Sequence, residues 1–188
     1  MAQESLESKE FNYRTAQEMP PEIKELIYKE WLPRVMAGAL KAARELPPEY
    51  RNRILKGMSD ACAPMAVEVC GIRPDMTREE YLKHMTELDP PLGPRTIEWT
   101  GDTVEVDYHP PRDAQGKPVC QCPLIQLGMV EPFPELCFCS ANTGAGFLEA
   151  YTQKPAASVE LLGSLHSGLQ SCRYKVHLNP SASDKSAE

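Results

Sequence analysis

The sequence predicts an α+β fold in which N-terminal helices pack on an antiparallel sheet and the chain ends in a helix plus a β-hairpin. Apolar residues recur at helical spacing through residues 19–89 and alternate at strand spacing through much of residues 95–178. A Pro-rich run lies between these two parts. We expect a single domain over residues 19–178, with a flexible tail at 1–18 and a disordered tail at 179–188.

Two long helices are predicted in the first part. The first occupies residues 20–46, and Pro33 inside it predicts a kink near residues 29–33. The second runs from Pro48 to Cys70 and ends at Gly71, because glycine adopts the left-handed conformation that commonly closes a helix.

A third helix and a hairpin follow. The helix is expected from Thr77 to Leu88, because Thr77 and Glu80 have the spacing of a capping box. Residues 89–94 then separate the helical part from the strands. Residues 96–109 alternate between apolar and polar side chains around a Gly-Asp turn, which predicts a β-hairpin.

The last part of the chain combines a helix with a second hairpin. Residues 119–124 are compatible with either a short strand or an extended loop. A helical pattern begins at about Ser140 and ends before Pro155. Residues 157–165 and 171–178 then alternate as two paired strands that place Cys172 on the apolar face.

The composition argues against several classes of protein. The formal net charge is −7 and no basic stripe offsets it, so a nucleic-acid-binding surface is not expected. No apolar run approaches the roughly 20 residues that span a membrane, and the polar, acidic start is neither a signal nor a transit peptide. We therefore expect a cytoplasmic protein whose seven cysteines stay reduced rather than form a disulfide framework.

Cysteines are concentrated in two Cys-x-Cys pairs and one later position: Cys120 and Cys122, Cys137 and Cys139, and Cys172. Cysteine binds zinc as thiolate, and four ligands complete a structural site. Residues two apart on a strand lie roughly 6.6 Å apart, whereas two sulfurs on one tetrahedral zinc ion lie about 3.8 Å apart. Each pair is therefore expected to chelate only from a turn, or to give one sulfur to a site.

Three interpretations of these cysteines stay open. They form a metal site with Glu160 as a candidate oxygen ligand, they include a reactive or redox thiol pair, or they are buried structural residues beside an apolar pocket. Cys62 and Cys70 lie earlier, in the second helix. They are either small core residues, or one of them reaches the later cysteines.

The C-terminal part resembles a known domain family. Cys137, the helical run Phe147–Tyr151, the pair Val159-Glu160, Gly168 and the run Cys172–Tyr174 are similar to the 4-vinyl-reductase-type small-molecule-binding domain. Together with the helical first part, the chain also resembles the L-2-amino-thiazoline-4-carboxylate hydrolase-like family. The resemblance implies an antiparallel sheet with helices around a ligand pocket.

The resemblance also implies a zinc site in some members of the family. Its ligands correspond here to Cys137, Glu160 and Cys172, while Gly163 stands where the remaining cysteine ligand would be. The candidates for the missing ligand are Cys139, Cys120 and Cys122.

Two functions and a third, simpler role follow as expectations. The first is a sensor-like domain that holds a small hydrophobic or sulfur-containing ligand beside a cysteine-rich zinc or iron site, with a homodimer as its candidate assembly. The second is a hydrolase of a small cyclic thiazoline- or amide-like substrate. Its candidate catalytic residues are Glu160 and Cys139, with His109 and His166 as other candidate bases. The third is a thiol redox or structural module.

Overall fold

The structure is a computed structural model that describes residues 18–88 and 94–180. Residues 1–17 and 181–188, which make up most of the two predicted tails, and residues 89–93 of the Pro-rich run lie outside the described residues. Within the described residues, no helix is long and apolar enough to cross a membrane. The predicted α+β class is confirmed, because helices precede a four-stranded antiparallel sheet and the chain ends in a helix followed by two strands.

Helices form the first part of the chain. Their bounds are α1 Pro21–Leu26, α2 Leu32–Arg44, α3 Pro48–Cys70 and α4 Arg78–Glu87. A π-helical turn, Ile27–Trp31, joins α1 to α2 immediately before Pro33, where the sequence predicts a kink. Proline has no N–H to donate to the preceding turn, so a wider turn accommodates it without ending the helix.

The ends of α3 and α4 follow the local signals in the sequence. Gly71 closes α3 with a φ of 65°, in the left-handed region that glycine adopts without strain. The Thr77 side chain accepts a hydrogen bond from the Glu80 backbone N–H at 3.2 Å, and the Glu80 carboxylate accepts one from the Thr77 N–H at 2.6 Å. This reciprocal capping box begins α4.

Four antiparallel strands form the sheet in the order β1-β2-β4-β3. Their bounds are β1 Arg95–Thr100, β2 Thr103–Tyr108, β3 Ala156–Gly163 and β4 Cys172–Leu178. The central strand β4 places Tyr174, Val176 and Leu178 in the core, with Cys172 on the same face. Because side chains alternate along a strand, Lys175 lies on the opposite face.

The segment between the two hairpins differs from its prediction. Residues 119–122 form a loop, and a short helix, α5 Pro123–Gln126, follows it. The 3₁₀ turn Pro134–Leu136 leads directly into α6 Cys137–Thr152, so the predicted start at Ser140 is too late. Proline has the backbone φ of a first helical position, which allows Pro134 to initiate the turn.

Helix α6 lies between α3 and the sheet, and it contacts both closely. A Cβ atom at Gly146 would lie 2.7 Å from the Cβ of Ala63 on α3. On the sheet side, a Cβ at Gly144 would lie 2.0 Å from the Tyr174 hydroxyl oxygen. The two glycines therefore let α6 approach both layers closely.

Candidate metal centre

The thiols of Cys137 and Cys172 form a direct pair. Cys137 is buried at the first position of α6, and Cys172 is half-buried at the first position of β4. The two thiols are close enough for each to shift the titration of the other: Cys172 raises the pKa of Cys137, and Cys137 lowers the pKa of Cys172. The nearby backbone N–H of Leu165 also lowers the pKa of Cys172, because it favours the thiolate. Cys172 is thus the thiol most easily converted to a thiolate.

A second contact, between Cys120 and His166, lies beside this pair. The Cys120 sulfur is 3.3 Å from His166 Nε2. Burial raises the pKa of Cys120 and lowers the pKa of His166, which favours a neutral imidazole. A thiolate at Cys120 would interact with the charges of thiolates at Cys137 and Cys172. The three thiols and the imidazole of His166 therefore lie in one region.

The turn between β3 and β4 brings His166 to this position. The Ser167 hydroxyl accepts a hydrogen bond from the Ser164 N–H at 2.8 Å and donates one to the Ser164 carbonyl at 2.9 Å. Gly163 precedes this turn with a φ of 154°, a backbone conformation that residues with a side chain rarely adopt. A cysteine at that position would therefore be strained, whereas His166 lies within the turn and faces Cys120.

A buried hydroxyl adjoins the Cys137 thiol. Ser164 has no solvent exposure, and its Oγ makes no hydrogen bond of ordinary geometry with any described group. It lies close enough to Cys137 to lower the pKa of that thiol, against the larger opposing effects of Cys172 and burial. A buried hydroxyl without a partner costs free energy, and a thiolate at Cys137 would accept its hydrogen bond.

A second group of thiols consists of Cys62 on α3, Cys122 before α5 and Cys139 in the first turn of α6. Burial raises the pKa of Cys139 to about 12, and the neighbouring Cys122 and Cys62 thiols contribute to the same rise. Cys122 interacts with Cys172 as well as with Cys62, so the two groups adjoin. Of the two earlier cysteines, Cys62 is near enough for its charge to affect the pKa of Cys122 and Cys139, whereas Cys70 lies in the main core.

Backbone N–H groups lie near two of these sulfurs. The N–H of Cys122 acts to lower the pKa of Cys120, and the N–H groups of Leu124 and Ile125 act to lower the pKa of Cys122, because they favour the thiolate. Burial has the larger, opposite effect and raises the pKa of both thiols. Backbone donors near sulfur orient and tune the ligands of metal–thiolate sites.

Glu160 does not join the predicted site. It lies opposite Lys175 in the β3–β4 pairing and is exposed on the outer face of the sheet, whereas Cys172 lies on the inner face. The candidate base His109 is also elsewhere, with its Nε2 at 2.8 Å from the Thr96 hydroxyl. The predicted set of Cys137, Glu160 and Cys172 is therefore corrected, because strand alternation turns the carboxylate away from the thiols.

The thiols described above lie in one region, but their side chains are not oriented to bind one metal ion together. None of the seven cysteines, all of which lie in the described residues, forms a disulfide. Over residues 18–88 and 94–180, no three His, Cys, Asp or Glu side chains are already placed to hold one metal ion. Metal binding would need rotation of thiol side chains between their staggered positions.

A cleft with a volume of about 230 Å³ lies on the far side of this region, between α2 and residues 128–133. Its walls include Leu40 and Phe133, which pack with Leu136 in a small apolar cluster. Leu136 directly precedes Cys137, so this apolar cluster adjoins the start of α6. The guanidinium of Arg44 lies 5.9 Å from the centre of the Phe133 ring at the rim.

The chain was compared with known protein families and with curated proteins. No family model matches it, and no curated protein shows significant similarity to it. The function proposed below therefore rests on the arrangement of the thiols.

Proposed function

We propose that the protein binds a thiophilic metal ion between Cys120, Cys137, Cys172 and His166. Zinc is the proposed ion and iron is the alternative. Three thiolates and one imidazole are a common ligand set of structural zinc sites. The observation that carries the proposal is the contact between the Cys137 and Cys172 thiols beside the Cys120–His166 pair.

The surroundings of the four side chains fit this role. Each thiol must lose its proton to bind zinc, and the imidazole must be neutral. The N–H groups of Cys122 and Leu165 stabilise thiolates at Cys120 and Cys172. The buried Ser164 hydroxyl supplies a donor for the Cys137 sulfur. A reducing, cytoplasmic compartment, which we propose for the protein, would keep the thiols available.

A small-molecule-binding role beside the metal is part of the proposal. The cleft at Leu40 and Phe133 is smaller than the roughly 300 Å³ at which drug-sized pockets begin, so it suits a small, largely apolar ligand. The cationic side chains of Lys41 and Arg44 at its rim would favour a ligand with a negative group. Leu40 and Phe133 of the cleft belong to the same apolar cluster as Leu136, and Leu136 directly precedes Cys137 in the chain. This cluster connects the cleft to Cys137.

A thiol–disulfide switch is the second candidate, and the Cys137–Cys172 contact favours it. A small-molecule disulfide would accept the two electrons and two protons that the pair loses on forming its own S–S bond, and would leave as two thiols. Zinc and this disulfide exclude each other, because both need the same two sulfurs. Titration of accessible thiols before and after zinc loading separates the candidates: zinc is expected to protect the pair from oxidation.

Metal analysis of variants tests the main proposal. The Cys137→Ser/Cys172→Ser variant is expected to hold about one zinc ion per chain fewer than the wild type, because it lacks half of the ligand set. Cys70→Ala is the matched control, since Cys70 is a buried cysteine outside the site. An unchanged zinc content in the double variant would exclude the site.

A further inference from the structure

An exposed stripe without charged side chains runs along the solvent side of α3. Another side of this helix buries Leu55, Ser59 and Cys70 and packs on α6. Residues that follow one another at intervals of three or four positions share one side of a helix. At these intervals α3 has exposed residues that are apolar, aromatic or glycine: Tyr50, Ile54, Gly57, Ala61, Met65 and Val69.

The exposed area of this stripe is large enough for a protein interface. Tyr50, Met65 and Val69 are 58%, 62% and 67% exposed, and Ile54 is 42% exposed. With a surface on the order of 150–200 Å² each, these four side chains together expose roughly 400 Å². One partner in a standard interface contributes roughly 800 Å², of which slightly more than half is apolar. The stripe therefore supplies about the apolar area that one partner of a dimer contributes.

The order of residues along the stripe is nearly symmetrical about its middle. The two smallest residues, Gly57 and Ala61, lie at the centre, and larger side chains lie on both sides of them. If two copies of α3 cross there in opposite directions, residues equally far from the centre on opposite sides face each other across a two-fold axis. The pairs that meet in this way are Ile54 with Met65 of the second copy, and Tyr50 with Val69 of the second copy.

Nothing within one protomer requires a glycine at position 57. A Cβ atom at Gly57 would meet no atom within 4 Å in the described part of the chain, and its backbone is helical. Glycine in the interior of an exposed helix lowers its stability relative to alanine. A second helix that crosses at Gly57 accounts for the residue, because the absence of a side chain lets the two backbones approach closely.

Two charged side chains of opposite sign accompany the stripe. Arg53 directly precedes Ile54, and Glu68 directly precedes Val69, so both lie on the same side of the helix slightly more than four turns apart. Both are exposed, and neither forms an ion pair with any residue that the structure describes. An antiparallel second copy places Arg53 near Glu68, and the two-fold axis repeats this contact. A parallel copy would bring like charges together, so the charges favour the antiparallel arrangement.

We propose that α3 forms the interface of a homodimer in which two copies of this helix pack antiparallel across a two-fold axis. Gly57 and Ala61 form the crossing, the larger apolar side chains pack on both sides of it, and Arg53 pairs with Glu68 of the second copy. Such an interface is isologous and closed, so the assembly stops at two chains. The proposed zinc ligands take no part in it.

Sedimentation equilibrium of charge variants tests the pairing. The wild type is expected to dimerise. Arg53→Glu and Glu68→Arg are each expected to raise the dimer Kd at least about tenfold, because like charges then meet twice at the interface. The double variant Arg53→Glu/Glu68→Arg restores both ion pairs with reversed sign and is expected to dimerise as the wild type does. Weakening in the single variants without this rescue would overturn the antiparallel pairing.

Apolar variants test whether the interface lies on α3. Ile54→Glu is expected to raise the dimer Kd at least about a hundredfold, because the new carboxylate would be buried without a partner. Val35→Glu on α2 is the matched control, since Val35 has a similar exposure. Gly57→Ala is also expected to weaken the dimer, whereas Gly38→Ala on α2 is not. A dimer that only the α2 variants weaken would overturn the proposal.

Circular dichroism and zinc content are measured on every variant. All the replaced side chains are exposed, so the fold is expected to stay intact. The zinc content is expected to stay at the wild-type value, which keeps a failure of the dimer distinguishable from a failure of the metal site. A wild type that is monomeric at every concentration would overturn the proposal, whether another part of the chain or a different protein covers the stripe.

Discussion

The Cys137 thiol lies beside the Cys172 thiol, and this contact joins the first residue of α6 to the first residue of β4. The pair lies where the helical layer meets the central strand of the sheet. A metal ion bound there would link the two layers of the fold. Binding energy at such a site adds to the stability of the folded chain, because the ligands come together only on folding.

His166 is expected to be a zinc ligand, whereas His109 is not. The imidazole of His166 lies 3.3 Å from the Cys120 sulfur, while the exposed His109 contacts Thr96 on β1. His166→Gln should therefore weaken the proposed zinc site by at least about tenfold, since outer-shell changes alone cost about that much. Competition with a chromophoric chelator measures the Kd. An equal effect from His109→Gln would contradict this assignment.

Glu160→Gln is expected to leave the zinc content and the zinc Kd unchanged. The carboxylate lies on the outer face of the sheet, opposite Lys175, and strand alternation separates it from Cys172. Metal analysis and chelator competition on this variant check the expectation. A tenfold or larger rise in the Kd would mean that β3 changes its register when metal binds, and would restore the ligand set that the resemblance implies.

Gly144→Ala is expected to destabilise the fold by about 1–3 kcal/mol, because overpacking in a core has this cost. The new methyl group would lie 2.0 Å from the hydroxyl oxygen of the buried Tyr174. Gly38→Ala on α2 is the matched control, since nothing lies within 4 Å of its added Cβ. That control should gain roughly 0.5–1 kcal/mol from helix propensity. Urea denaturation of the two variants should give free-energy changes of opposite sign.

The capping box of α4 is expected to contribute stability that depends on pH. The Thr77 backbone N–H lowers the pKa of Glu80 below its ordinary value of 4.5. A carboxyl whose pKa is lower in the folded state stabilises the fold above its unfolded pKa, and this stabilisation is lost as pH falls through the folded pKa. Glu80→Gln should therefore be less stable than the wild type at pH 7, and the difference should shrink below about pH 4.5.

Urea denaturation at a series of pH values measures this difference. Glu79→Gln removes a charge from the same helical turn and leaves the Thr77–Glu80 hydrogen bonds intact, so it is the control. The expected result is a pH-dependent loss that is specific to Glu80. A Glu80→Gln deficit that is constant from pH 7 to pH 3 would show that the charged form has no role in the cap.

Local signals were sufficient to predict much of the fold. Pro48 and Gly71 mark the ends of α3, and the spacing of Thr77 and Glu80 marks the start of α4. The sequence predicts the start of α6 too late, at about Ser140, because the apolar periodicity begins there, whereas Pro134 already initiates the 3₁₀ turn that leads into the helix at Cys137. Local signals thus predict the ends of a helix well where the residue at the boundary is typical of a helix end and of no other structure.

The candidate site was only partly predictable. The cysteines were identified by their number, but the partnership of Cys120 with His166 depends on a contact between distant parts of the chain. Glu160 was misplaced by the resemblance, although the alternation of β3 already assigned it to the polar face. The entry of Cys62 into the second group depends on the crossing of α3 and α6, which no local pattern encodes.

Zinc K-edge X-ray absorption on the zinc-loaded protein tests the central claim most directly, because it identifies and counts the atoms bound to the ion. The predicted shell contains three sulfur atoms at about 2.3 Å and one nitrogen atom at about 2.0–2.1 Å. The His166→Gln variant should lose the nitrogen atom and retain the sulfur atoms. A shell made only of oxygen and nitrogen atoms, in a zinc-loaded and folded protein, would contradict a site built from Cys120, Cys137, Cys172 and His166.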